Sequence, residues 1–251
     1  MSLIKSLFIA LQFLTRLPVR LAIRPNEKEL GYSLLFYPFV GLIIGSILIA
    51  LGWLLNGTPP LVTAALLVAA WIFLTGGLHL DGLADSADAW IGGMGDRTKT
   101  LAIMKDPNCG PAGVAAIILI ILLKFVTLHT LVTGNEWITL LLAPILARTL
   151  LPLLFLTTPY VRSNGLGASL AAYQPRRWSI LIIVVTFVLI FLFNDIHYLS
   201  LALAAITMFL FLRYLMLQRI DGTTGDTAGA LVEITETTVL LTSAIAFSEF
   251  L

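Results

Sequence analysis

Seven apolar runs of near-bilayer length leave this chain few residues for anything but a helical membrane bundle. They lie at Tyr32 to Leu55, Leu61 to Leu80, Ala112 to Val132, Ile138 to Leu156, Trp178 to Phe193, Tyr198 to Leu217 and Leu231 to Leu251. Each is close to the ~20 residues that an α-helix needs to cross a hydrocarbon layer of about 30 Å. Backbone in lipid must satisfy its own N–H and C=O groups, so apolar runs of this length form helices. The 251 residues are 59% hydrophobic and 12% charged, about half the charged share of a soluble domain, and no separate soluble module is left over. The expected fold is all-α: a polytopic integral membrane helical bundle of about seven transmembrane helices, forming one membrane-embedded domain over residues 1–251. The Trp178 to Phe193 run is short, so it and its successor form either two spans or a re-entrant hairpin around Asn194, Asp195 and His197. The first segment, Leu3 to Leu17, sets Lys5, Gln12 and Arg16 in a narrow polar stripe and reads as an N-terminal interfacial helix outside the span count. No small-residue cleavage site follows it, so it is expected to be retained.

Charge fixes the expected orientation. With the N-terminus in the cytoplasm, every loop lysine and arginine falls on that side, from Lys5, Arg16, Arg20 and Arg24 through Arg97, Lys99, Lys105 and Arg162 to Arg213 and Arg219. The opposite loops, around Asn56 to Pro60, Gly134 to Trp137 and Asn194 to His197, carry Glu136 and Asp195 and no basic residue. A multi-pass membrane protein with its N-terminus in the cytoplasm is expected, partnered by the lipid bilayer. The near-zero net charge of +1 and the absence of a basic tract give no reason to expect nucleic acid. A single cysteine, Cys109, excludes an internal disulfide.

Two acid-rich segments fall on the cytoplasmic side in this scheme. In GLHLDGLADSADAW, Asp81, Asp85 and Asp88 recur at spacings of four and three and share one helical face, where three like charges are best tolerated around a divalent cation. His79 precedes them, either as a proton carrier or as a packed histidine, and Arg97, Lys105 and the secondary candidate Asp106 follow within reach of a phosphorylated substrate. The second segment, DGTTGDTAGALVEITE, places Asp226 and Glu233 on one face with Gly229 and Ala230 between them. Thr224 and Gly225 stand before it, where helix N–H groups could receive a phosphate. Asp226 and Glu233 are thus metal-ligand candidates beside Asp81, Asp85 and Asp88. Alternatively, Asp226 or Thr227 simply caps the last helix. Two cations lie inside spans: Arg148, either reaching an anionic substrate or pairing with a buried acid, and Lys124, expected in a structural pair.

Taken in order, GGLHLDGLADSADAW, then DR followed by LAIMKDPNCGPAGV, then Gly165-Leu166-Gly167, then TGDTAGALVEITE, with ALQFLTRLPV and YPFVGLIIG before them, resemble the adenosylcobinamide-GDP ribazoletransferase family, also called cobalamin 5′-phosphate synthase. The resemblance covers essentially the whole chain. It implies a magnesium-dependent phosphotransferase that joins adenosylcobinamide-GDP to α-ribazole, or its 5′-phosphate, and releases GMP. Its catalytic residues would be Asp81, Asp85, Asp88 and His79, its substrate-binding residues Arg97, Lys105, Asp106, Arg148, Thr224 and Gly225, and its metal ligands the five acids. Homo-oligomers, or association with other enzymes of the pathway, stay open. Two other readings compete: a CDP-alcohol-type phosphotransferase, whose aspartate spacing and Ala-Arg pair this chain lacks, and a cation-coupled transporter, against which the acids cluster at helix ends with phosphate-binding cations.

Overall fold

The computed structural model describes residues 3–19, 25–163, 165–193 and 195–248. Arg20 and Arg24 of the charge scheme, Asn164, Asn194 and residues 249–251 lie outside the described residues. The described chain folds as helices α1 (Leu3–Leu14), α2 (Glu27–Ser33), α3 (Tyr37–Leu54), α4 (Pro60–Thr75), α5 (Leu78–Gly92), α6 (Arg97–Ile103), α7 (Pro111–Thr133), α8 (Trp137–Thr157), α9 (Leu166–Ala172), α10 (Arg176–Phe191), α11 (Ile196–Ile220) and α12 (Gly225–Ser248). Five helical segments are long and apolar enough to cross a membrane, and the count reaches seven if the bent pairs α4–α5 and α9–α10 each contribute one crossing. This is a multi-pass membrane protein. The short α1 packs Ile9, Ala10, Leu11 and Leu14 inward and leaves Leu3, Ile4 and Phe8 outward, a one-sided burial consistent with an interfacial helix.

The bundle is organised around α8 and α12, whose apolar windows are 78% and 72% buried, against 22% for the more peripheral α7. Close approach sets α3 on α8. Gly41 and Gly45 of α3 form a small-xxx-small step on α8, where a side chain at Gly45 would lie 2.8 Å from the Leu141 Cα. Pro144 and Pro152 lie within α8, and Gln174 Nε2 donates to the Pro152 carbonyl at 2.9 Å. On α10, Ile183 and Ile190 are buried, while Trp178, Ile180 and Val184 point outward, where in a bilayer they meet lipid.

Buried charges fasten three of these helices together. Lys124 Nζ of α7 donates to Glu233 Oε2 at 2.6 Å and to Glu236 Oε2 at 2.5 Å on α12. Arg148 of α8 pairs with the other oxygen of Glu236. Two cations thus meet two anions in the interior, the arrangement that buried charge requires. The expected structural pairing of Lys124 is found.

Candidate active site

Gly76 and Gly77 both adopt left-handed backbone, with φ of +64° and +69°, a conformation open to glycine at little cost. They end α4 and turn the chain by 88° into α5, so the two helices do not run on as one straight rod. The acids of α5 are therefore presented across the end of the bundle. Two further glycines set that helix on α12: a Cβ at Gly82 would lie 2.7 Å from the Asp226 carbonyl oxygen, and one at Gly229 would lie 3.3 Å from the His79 Cα. The two acid-rich segments, far apart in sequence, touch through their backbones.

The start of α12 is held by hydroxyls. The Thr227 N–H donates to Thr224 Oγ1 at 3.2 Å, and the Thr224 N–H donates to Thr227 Oγ1 at 2.9 Å, so both fully enclosed threonines are used in capping the helix. Asp226 is left free of that duty and turns to Arg162, whose Nη2 donates to its Oδ2 at 2.5 Å. Arg162 is delivered by the segment after α8. The Val161 N–H donates to the Thr223 carbonyl at 2.9 Å and the Thr223 N–H to the Pro159 carbonyl at 2.8 Å, a short ladder that aligns the two chains.

A cavity of about 280 Å³ opens at this meeting point. Its polar lining is Asp81, Asp226, Arg162, His79 and Tyr160, and the Gly165–Gly167 turn borders it. Asp85 stands one turn beyond Asp81. Its carboxyl is pushed up to about 6, first by partial burial and then by the charges of Asp81 and Asp226, against which Arg162 works. The site carries more negative charge than its one arginine neutralises.

Several expected site residues lie elsewhere. Asp88 accepts the Gly110 N–H on Oδ2 at 2.7 Å and the Gly113 N–H on Oδ1 at 2.9 Å, so it ties α5 to the start of α7 rather than joining Asp81 and Asp226. Side chains at Gly110 or Gly113 would come within 2.5 Å of that carboxylate, which explains both glycines. Glu233 does not share a site with Asp226. Seven residues of helix, at a rise of ~1.5 Å each, carry it about 10 Å deeper into the bundle, where Lys124 claims it. Arg148 is fully enclosed and paired to Glu236. His79 lines the cavity yet is 3% exposed, and its Nδ1 faces Arg148 Nη2 at 3.5 Å, a partner that only a neutral imidazole accepts. Thr224 caps α12, as above.

Arg97 holds α6 to the end of α11, donating from Nε to the Ile220 carbonyl at 3.1 Å and approaching Asp221 Oδ2 at 3.0 Å. Lys105 is exposed on the loop before α7. Asp106 accepts from the Asn108 backbone at 3.0 Å and side chain at 2.7 Å, which holds its carboxyl below the usual range. None of these three lines the cavity. Gly225 does, together with Arg162, which the sequence reading had used only as a topology marker. The clue was a basic residue three positions before a Gly-x-Gly turn.

The family model for cobalamin-5-phosphate synthase matches residues 6–244. Proteins named adenosylcobinamide-GDP ribazoletransferase are similar throughout. That of Pseudomonas paraeruginosa is 53% identical over 242 residues, covering 96% of this chain and 98% of its own. The Pseudomonas aeruginosa protein is 52% identical over the same shares, and that of Stutzerimonas stutzeri is 51% identical over 95% of this chain and 97% of its own. No solved structure matches. With a family model spanning nearly every described helix and relatives of this identity, the chain belongs to the cobalamin-5-phosphate synthase family.

Proposed function

We propose that this protein joins adenosylcobinamide-GDP to α-ribazole, or to its 5′-phosphate, and releases GMP, using the cavity between α5 and α12. The reading places that cavity at the cytoplasmic face of a bacterial inner membrane, the side to which the loop lysines and arginines segregate. One observation carries it: helices α5 and α12 touch at Gly82 and Asp226, which gathers Asp81, Asp226 and Arg162 around one opening, with Asp85 one turn along α5 within reach of their charges.

Magnesium fits this donor set. Among the described residues no three acids, histidines or cysteines already converge tightly enough to hold an ion alone. Magnesium is ordinarily bound by one or two carboxylates with substrate phosphates completing the octahedron, and Asp81 and Asp226 at the cavity wall meet that requirement. When bound, the ion supplies charge neutralisation to the diphosphate and to the leaving GMP.

The chain's own groups account for the remaining work. Arg162 exchanges the Asp226 carboxylate for diphosphate oxygens, which its planar fork can bind two at a time. That exchange frees Asp226 as a ligand. The Gly225 end of α12 presents backbone to the same anion. An acceptor ribose hydroxyl, held in line, forms the new P–O bond at the phosphorus next to the corrinoid while the phosphoanhydride bond breaks and GMP leaves with the electron pair. Asp85, the carboxylate one turn beyond Asp81, takes the hydroxyl proton as the general base. Purified protein in detergent, given both substrates and magnesium, should form GMP and the joined corrinoid in equal amounts. GMP without joined corrinoid, or neither product, would overturn the proposal.

A further inference from the structure

Away from the acid site, a groove of about 710 Å³ opens between α1, the junction of α2 with α3, and α10. Leu7 forms one wall, Tyr32, Phe36 and Phe39 the second, and Trp178 and Ile182 the third. The lining is hydrocarbon and aromatic ring. Helices α2 and α3 run on as one membrane-length segment, Glu27–Leu54, and α10 starts at the basic pair Arg176 and Arg177. Both walls therefore lead from a charged end into the bilayer. From Tyr32 to Phe39 and from Trp178 to Ile182 they descend by about 6–10 Å, at ~1.5 Å per helical residue.

The mouth of the groove is cationic. Lys28 stands one helical turn before Tyr32 and Arg177 directly before Trp178; both are exposed, and among the described residues neither has an acidic partner. The acids close by are already engaged. Glu29 accepts the Asn26 N–H in the cap of α2 and pairs with Lys5 Nζ at 2.7 Å, while the Tyr173 hydroxyl donates to Glu27.

We infer that this groove holds one acyl chain of an anionic phospholipid, whose phosphate-bearing head sits on Lys28 and Arg177. Any lipid chain can cover an apolar face, so the lining alone selects no species. Selection comes from the two cations, which a zwitterionic head satisfies only in part because its own ammonium accompanies the phosphate. Each basic residue near the membrane surface strengthens attachment to anionic lipid about fivefold, and salt screening reduces two of them to about tenfold together. Tyr32 and Trp178 suit the same level, since amphipathic rings gather where hydrocarbon gives way to head groups. The interfacial helix α1 closes the groove with Leu7 and carries Phe13 and Leu14 to the wall of the acid-lined cavity, so the lipid braces that wall from behind.

Brominated acyl chains quench tryptophan on contact, and Trp178, 58% exposed, is the tryptophan of the groove. The full-length protein is reconstituted into vesicles of phosphatidylcholine and phosphatidylglycerol, with the bromine carried by the phosphatidylglycerol or by an equal amount of the phosphatidylcholine. The difference between wild-type protein and Trp178→Phe isolates the Trp178 signal. With about one lipid in ten brominated, a tenfold preference makes phosphatidylglycerol quench Trp178 about five times as strongly as phosphatidylcholine does. Lys28→Gln combined with Arg177→Gln should bring the two levels together; both positions are exposed, and an unchanged melting midpoint shows that the bundle is intact. Equal quenching of Trp178 by the two lipids in wild-type protein overturns the inference, because the groove then holds only bulk lipid. Quenching by neither overturns it too, since a protein surface, such as a second copy of the chain, then covers Trp178. A preference that survives the double variant, or that persists in Trp178→Phe, places the anionic lipid elsewhere.

Discussion

Replacing Asp85 with asparagine should make the protein more stable and inactive at once. The folded protein holds this carboxyl at about 6 instead of 3.8, so folding disfavours its ionised form. Each pH unit between folded and unfolded values is worth about 1.4 kcal/mol, which sets a ceiling of roughly 3 kcal/mol near neutrality. Asp85 is only partly buried, and water screens its neighbours, so about 1 kcal/mol is the realistic figure. The protonated carboxyl contributes its full stability below the unfolded value and loses it as pH rises through about 6. Asparagine, neutral throughout, keeps that contribution. In thermal melts of detergent-solubilised protein without divalent cations, Asp85→Asn should raise the midpoint by about 2–4 °C near neutral pH. The gain should shrink to nothing as pH falls toward 4, where wild-type Asp85 is itself protonated. Turnover should be lost at every pH. A lower midpoint at neutral pH, or a gain that persists unchanged in acid, would refute the electrostatic reasoning.

Further outcomes follow from the same geometry. Arg162→Ala should lower kcat/KM about 100-fold by removing a charge-assisted contact to the diphosphate, measured as GMP formation, with Arg162→Lys recovering only part because it cannot fork. Glu236→Gln should destabilise the bundle by about 3–5 kcal/mol, since Arg148 and Lys124 would be left with one buried anion; an unchanged melting midpoint would contradict the ion network. Wild-type turnover should fall in acid, as the Asp85 carboxylate takes up its proton. In a Cys109→Ser background, single cysteines at the exposed positions Thr98, Ser163 and Gln218 should react with an impermeant reagent in inverted vesicles, and those at Asn56 and Asn135 in intact cells. The reverse pattern would invert the proposed topology.

The legible part of this chain was its apolar periodicity. Runs such as Ile138 to Leu156 and Tyr198 to Leu217 became α8 and α11 because bilayer-length hydrocarbon has one backbone solution. The Asp81, Asp85 and Asp88 spacing correctly gave a helix. The direction of that helix was signalled only by Gly76-Gly77, whose positive φ angles turn it across the bundle end. The last span was placed at Leu231, yet α12 begins at Gly225, because its polar first turns are shielded by protein rather than lipid. Partners on other helices were the least readable. Glu233 shares a helix face with Asp226, but the sequence does not reveal that Lys124 and Arg148 arrive there from α7 and α8 with Glu236 between them. Asp88 looked equivalent to Asp85 until Gly110 and Gly113 supplied their N–H groups. Arg162 was hidden among basic loop residues because its role depends on a ladder between residues 159–161 and Thr223.

The central claim is that α5 and α12 together hold one cation and diphosphate site. Manganese, standing in for magnesium, can be titrated into the protein in the presence of adenosylcobinamide-GDP and followed by electron paramagnetic resonance. Asp81→Asn and Asp226→Asn should each weaken bound manganese about tenfold or more, since each removes a ligand from the same ion. Asp195→Asn, which keeps the cap of α11 at the opposite end, should bind as wild-type protein does. Loss of binding in only one of the first two variants would place the ion on a single helix and contradict the shared site.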